Sequence, residues 1–154
     1  MQLTEIFTPG TVLPKLEAST KRQVLRTLAD AAGEALGLNP KAVFEALHHR
    51  ERLGSTGIGE GVALPHAKVP GLDRLAGWVA CLEQPVDFDA IDDKPVDLVV
   101  LLLAPEGAGT EHLRVLAQLS RLARDHHRCA RLRGCDSATA LWESLTGPDR
   151  RKAA

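Results

Sequence analysis

The stretch Val96-Asp97-Leu98-Val99-Val100-Leu101-Leu102-Leu103 most constrains what this chain folds into. All but one of its residues are apolar, so neither side of such a strand can face water. It predicts a central strand covered on both faces. Leu75 to Leu82 reads as a second long strand, and Thr11 to Leu13 and Val62 to Leu64 as short ones. A sheet with such a centre needs a helical layer on each side.

Helical patterns supply those layers. Ser19 and Thr20 precede an apolar face of Val24, Leu25, Leu28, Ala31, Ala32, Ala35 and Leu36, with Thr20 and Gln23 spaced for a capping box. Asn39 as N-cap and Pro40 at the first helical position open a second helix, which turns Val43, Phe44 and Leu47 inward and stops by Gly54. From Thr110 to about Asp125 a helix carries Leu113, Leu116, Leu119, Leu122 and Ala123 on one side. A last helix, capped by Asp136 or Ser137, runs to about Leu145. Strands and helices alternate without a repeat or a linker, which predicts one α/β layered domain over residues 1–147 and a fraying tail over 148–154.

Composition narrows the function classes. At 154 residues the chain is long enough for one stable core. Nineteen Lys and Arg against twenty Asp and Glu give a formal net charge of -1, with no basic arm, and aromatic residues are 3% of the chain. Neither a phosphate-tracking patch nor a base-stacking surface is available, so nucleic acid is not the expected partner. Cys81, Cys129 and Cys135 form no C-x-x-C pair, which predicts free thiols and no zinc site. His48-His49 and His126-His127 point about 100° apart on a helix and have no accompanying ligand set, so no metal is expected. The chain opens without a basic, apolar leader and has no run long enough to span a bilayer, so the expected location is the cytoplasm.

The chemistry concentrates between Arg50 and Lys68. Four of the eight residues from Gly54 to Gly61 are glycine, and such a loop can turn backbone N–H groups toward one anion, with the Ser55 and Thr56 hydroxyls as further donors. No Gly-Lys-Ser/Thr follows, and the glycines come after a helix instead of a strand, so nucleotide binding is disfavoured. The loop leads to His66, held behind Pro65. A neutral imidazole is a nucleophile near neutral pH without an activating base, and a loose phosphoryl-transfer transition state asks for donors and positive charge around it. Arg50, and His112 near the start of a later helix, are candidates for that surrounding charge. Glu51, Glu60 and Lys68 read as a solvated rim.

The run Arg50-Glu51-Arg52-Leu53-Gly54-Ser55-Thr56-Gly57-Ile58-Gly59-Glu60-Gly61-Val62-Ala63-Leu64-Pro65-His66 resembles the type-2 IIA domains of the bacterial phosphoenolpyruvate-dependent phosphotransferase system, the mannitol and fructose class. Phe88-Asp89-Ala90-Ile91-Asp92-Asp93-Lys94-Pro95-Val96-Asp97-Leu98 and Leu101-Leu102-Leu103-Ala104-Pro105 extend the resemblance to the nitrogen-regulatory branch. The resemblance implies a mixed, mostly parallel sheet of about five strands with helices on both faces. It implies phosphorylation of His66 on Nε2, with Arg50, Thr56 and His112 supporting the phosphate and no cofactor. The implied donor is an HPr-like carrier, NPr, and the implied targets are regulated proteins such as potassium transporters and sensor kinases. Two other readings stand beside it: a sugar-specific component handing phosphate to a IIB domain, and a docking module that transfers nothing.

Overall fold

A computed structural model describes residues 2–147, so the predicted fraying of 148–154 lies outside the described residues. The apolar run becomes β6 (Val96–Pro105), which holds the middle of the sheet. Around it lie β1 (Val12–Leu16), β2 (Gly57–Gly59), β3 (Val62–Ala63), β4 (His66–Val69) and β5 (Ala76–Val86). The path is β1-β5-β6-β3-β2, with β4 also paired to β6. Three of the pairings, β1 with β5 and both β3 and β4 with β6, are parallel, while β5 with β6 and β2 with β3 are antiparallel. The sheet is therefore mixed and mostly parallel, as expected, with six strands where about five were predicted.

The sixth strand arises because the chain from Val62 to Val69 follows β6 in two pieces. Val62 faces Leu98 and Ala63 faces Val99; after Leu64-Pro65, His66 faces Leu102 and Ala67 faces Leu103. The register is the same on either side of the interruption. Pro65 lacks an N–H, yet its carbonyl still accepts from Leu102 N–H at 3.0 Å. His66 thus begins a strand instead of merely following one.

Alternate residues of the long strands build two cores. Leu101 and Leu103 of β6, with Trp78 and Ala80 of β5, pack on one side against α1 (Lys21–Leu36) and α2 (Pro40–Leu53). Leu98, Val100 and Leu102, with Val79 and Cys81, pack on the other side against α3 (Gly109–Ala123), α4 (His126–Arg133) and α5 (Ala138–Thr146). Both N-caps predicted for α1 and α2 form: Thr20 accepts from Gln23 N–H at 3.1 Å and Asn39 from Lys41 N–H at 2.9 Å. The Gln23 side chain reaches back to Ser19 N–H at 2.7 Å, one residue beyond the expected capping-box partner.

Three details differ from the sequence reading. In α1 the inward face uses Ala29 and Ala32, while Ala35 is exposed. In α3 the buried stripe is His112, Val115, Leu119, Leu122 and Ala123, whereas Leu113 is 63% exposed. The helix α4 was not anticipated, because His126 to Arg133 carries only Cys129 and Leu132 inward and is otherwise polar. Its start is capped by Asp125, which accepts from Arg128 N–H.

Candidate functional site

Three elements bring three of the four predicted residues, Arg50, His66 and His112, to one cleft. The last turn of α2 supplies Arg50, the first residue of β4 is His66, and the first turn of α3 supplies His112. The cleft, about 300 Å³, is lined by these three together with His49, Leu53 and Lys68. Lys68 shares the His66 face of β4 by the two-residue period of a strand. The two imidazole rings stand 6.2 Å apart between centroids at an angle of 61°.

His66 is half-buried, and its Nδ1 lies 2.8 Å from the Leu64 carbonyl oxygen. A carbonyl only accepts, so Nδ1 carries the hydrogen and Nε2 of the neutral ring keeps a free lone pair. Burial lowers the His66 pKa below the ordinary 6.5; the Leu64 bond opposes this, the Arg50 charge adds to it, and Glu51 opposes it. His112 is also lowered, first by burial and then by His66 and Lys68. Its Nε2 is buried without a hydrogen-bond partner among the described residues. Arg50 donates from Nη1 to the Gly54 carbonyl at 2.8 Å, which fixes the guanidinium at the helix end.

The glycine loop does not form the anion cradle its composition suggested. Glu60 and Gly61, both at positive φ, turn it into a tight hairpin between β2 and β3. Several of its N–H groups already have protein acceptors: Gly54 on Glu51 O, Thr56 on Glu51 Oε1, Gly57 on Ser55 Oγ and Glu60 on Asp92 Oδ2. At Gly57 glycine is required for another reason, the close approach of the segment after β5. A Cβ on Gly57 would lie 2.8 Å from Ala90 Cβ, and one on Gly61 would lie 2.9 Å from Arg133 Nη2. Arg133 in turn holds the hairpin, donating to Glu60 O at 3.0 Å and pairing with Asp97 at 2.8 Å.

Both loop hydroxyls point inward as well. Ser55 donates to Phe88 O at 2.6 Å. Thr56 is buried and outside the cleft lining, with its hydroxyl donating to Glu51 Oε2. Thr56, expected beside the phosphate, thus has its hydroxyl engaged by Glu51 in this structure. Glu51, read from sequence as a solvated rim residue, is buried and receives Lys21 Nζ at 2.7 Å. The sequence signal for that burial was faint: Glu51 follows Leu47 by four residues, on the inward side of α2.

The mixed α/β sheet thus presents a strand-initial histidine beside a second histidine and an arginine. The model of the family described as phosphoenolpyruvate-dependent sugar phosphotransferase system, EIIA 2, matches residues 5–147, and the chain belongs to that family. It is similar to a nitrogen regulatory protein of Bradyrhizobium diazoefficiens, 47% identical over 96% of this chain and 97% of that one. A nitrogen regulatory protein of Pseudomonas aeruginosa is 40% identical over 93% and 94% of the two chains. The crystal structure of nitrogen regulatory protein IIA-Ntr from Neisseria meningitidis superposes with a TM-score of 0.89 at 35% identity, covering 94% of this chain and 99% of that one.

Proposed function

We propose that this chain is a histidine phosphocarrier of the nitrogen-regulatory kind, which takes a phosphoryl group onto Nε2 of His66 from an HPr-like carrier such as NPr. One observation carries the reading: the Leu64 carbonyl, 2.8 Å from Nδ1, leaves Nε2 as the free nucleophile of a neutral ring. The P–Nε2 bond forms as the donor's bond to phosphorus breaks, and that electron pair returns to the donor. Nδ1 keeps its hydrogen, so no general base is needed.

The surroundings suit that step. Arg50 and Lys68 bring positive charge to the cleft, and the unpartnered Nε2 of His112 is available to donate to a phosphoryl oxygen when it carries the hydrogen. Thr56 serves at one remove, its carbonyl accepting from the N–H of Leu64. Leu53, 74% exposed on the cleft wall, offers apolar surface for a docking carrier. Phosphorylation adds about two negative charges to this surface, enough for a partner to distinguish the two forms. The nitrogen regulatory naming of the relatives supports regulation of partner proteins over sugar delivery.

Incubation with phosphoenolpyruvate, the first enzyme of the system and an HPr-like carrier, followed by intact mass, tests the reading. Wild type is expected to gain one acid-labile phosphoryl group and His66→Ala none, while Arg50→Ala and His112→Ala gain it roughly ten- to a hundred-fold more slowly. Uptake by His66→Ala overturns the assignment.

A further inference from the structure

The hydrogen bond that sets the His66 tautomer is the last link of a longer path. Leu64 lies between β3 and β4, and both of its backbone groups belong to that path. Its carbonyl accepts from His66 Nδ1 at 2.8 Å, and its N–H donates to Thr56 O at 2.9 Å. Thr56 in turn gives both its donors to one carboxylate: its N–H to Glu51 Oε1 at 3.1 Å and its hydroxyl to Oε2. Glu51 is anchored from α1 by Lys21 Nζ, whose second acceptor is Phe88 O at 3.3 Å. The Glu51 side chain is only 4% exposed, so its place is taken from water and given to these partners.

We propose that Glu51 is a positioning residue for the phosphoryl acceptor, holding Thr56 and through it the Leu64 carbonyl that keeps Nε2 of His66 free. The proposal rests on the reading of His66 as that acceptor. The path transmits position: the N–H and C=O of Thr56 belong to different peptide groups, as do those of Leu64. With Thr56 released, nothing in this path fixes the Leu64 carbonyl against the ring, and the alternative tautomer, with the hydrogen on Nε2, becomes accessible. That tautomer has no lone pair facing the cleft. Glu51 does not line the His66 cleft, so its loss acts on the rate at saturation and not on docking.

The test uses the full chain with 15N-labelled histidine, in wild type, Glu51→Ala, Glu51→Gln and Thr56→Val. Long-range proton–nitrogen correlation on the imidazoles at mildly alkaline pH reads the His66 tautomer, and single-turnover transfer from the phosphorylated HPr-like carrier reads rate against carrier concentration. Wild type is expected to show hydrogen on Nδ1 alone. Glu51→Ala and Thr56→Val should show mixed tautomers and a maximal rate lower by roughly ten-fold or more, at an unchanged half-saturating carrier concentration. Glu51→Gln keeps an acceptor oxygen and should recover most of both. Folded Glu51→Ala and Thr56→Val proteins with the wild-type tautomer overturn the proposal; if Glu51→Ala does not melt cooperatively, Thr56→Val, which removes one hydroxyl, decides. A wild type that takes no phosphate removes the carrier reading, while the tautomer comparison still decides the role of Glu51.

Discussion

Opposing influences act on the His66 imidazole, and burial is the largest, with Arg50 lowering its pKa further while the Leu64 bond and Glu51 raise it. The net direction is below 6.5, so the neutral, nucleophilic form persists through neutral pH. Phosphoryl acceptance is therefore expected to stay level from pH 7 down to about 6.5 and to fall only at lower pH, with a midpoint below 6.5. Rates of transfer from a fixed concentration of phosphorylated carrier across that range check it; a midpoint above 6.5 contradicts it. The same depressed pKa means that any stability linked to His66 is complete above 6.5 and is lost as pH falls through the folded value. At this scale the sequence made His66, Arg50 and His112 legible, because a named motif and a helix start locate them. Glu51 was not legible. A carboxylate beside an exposed loop is ordinarily solvated, and what reverses that is Lys21, brought from the start of a different helix.

In the hairpin joining β2 and β3, Gly59 and Gly61 serve positive φ, whereas Gly57 answers to crowding. Gly57→Ala is expected to destabilise the fold by about 1–3 kcal/mol, since its new Cβ would meet Ala90 at 2.8 Å with backbone close behind. Urea unfolding checks this, as a lowered midpoint at unchanged slope. A glycine-rich loop before a histidine reads equally well from sequence as an anion nest or as a surface that something presses upon. Only the Phe88–Lys94 segment, more than 30 residues onward in the chain, decides between them. The long elements were legible because their own residues specify them: an unbroken apolar run for β6, caps and a 3.6-residue period for α1 and α2. The helix α4 was not, because its few inward residues make no periodic stripe and Arg133 is held in place by Asp97 and the hairpin.

Across the described residues the two cores lie on opposite faces of the sheet, and the N-terminal segment closes one of them. Phe7 is fully buried, and its ring occupies the space over Gly77, where a Cβ would come within 2.4 Å. Trp142 of α5 donates from Nε1 to Phe7 O at 3.0 Å, so the two ends of the described chain are joined over the same core. Phe7→Ala is expected to cost about 3–5 kcal/mol, read by chemical denaturation. No helix among the described residues is long and apolar enough to cross a membrane. The layered architecture was legible in advance, whereas the joining of β3 and β4 along one edge of β6 was not, since register across a proline depends on a partner strand. That shared register makes Leu64-Pro65 a spacer of fixed length. One residue added or removed there shifts β4 by one place against β6 and turns the imidazole through to the other face of the sheet. Engineering that grafts new sequence onto this scaffold therefore has freedom at its outer turns and none at this dipeptide.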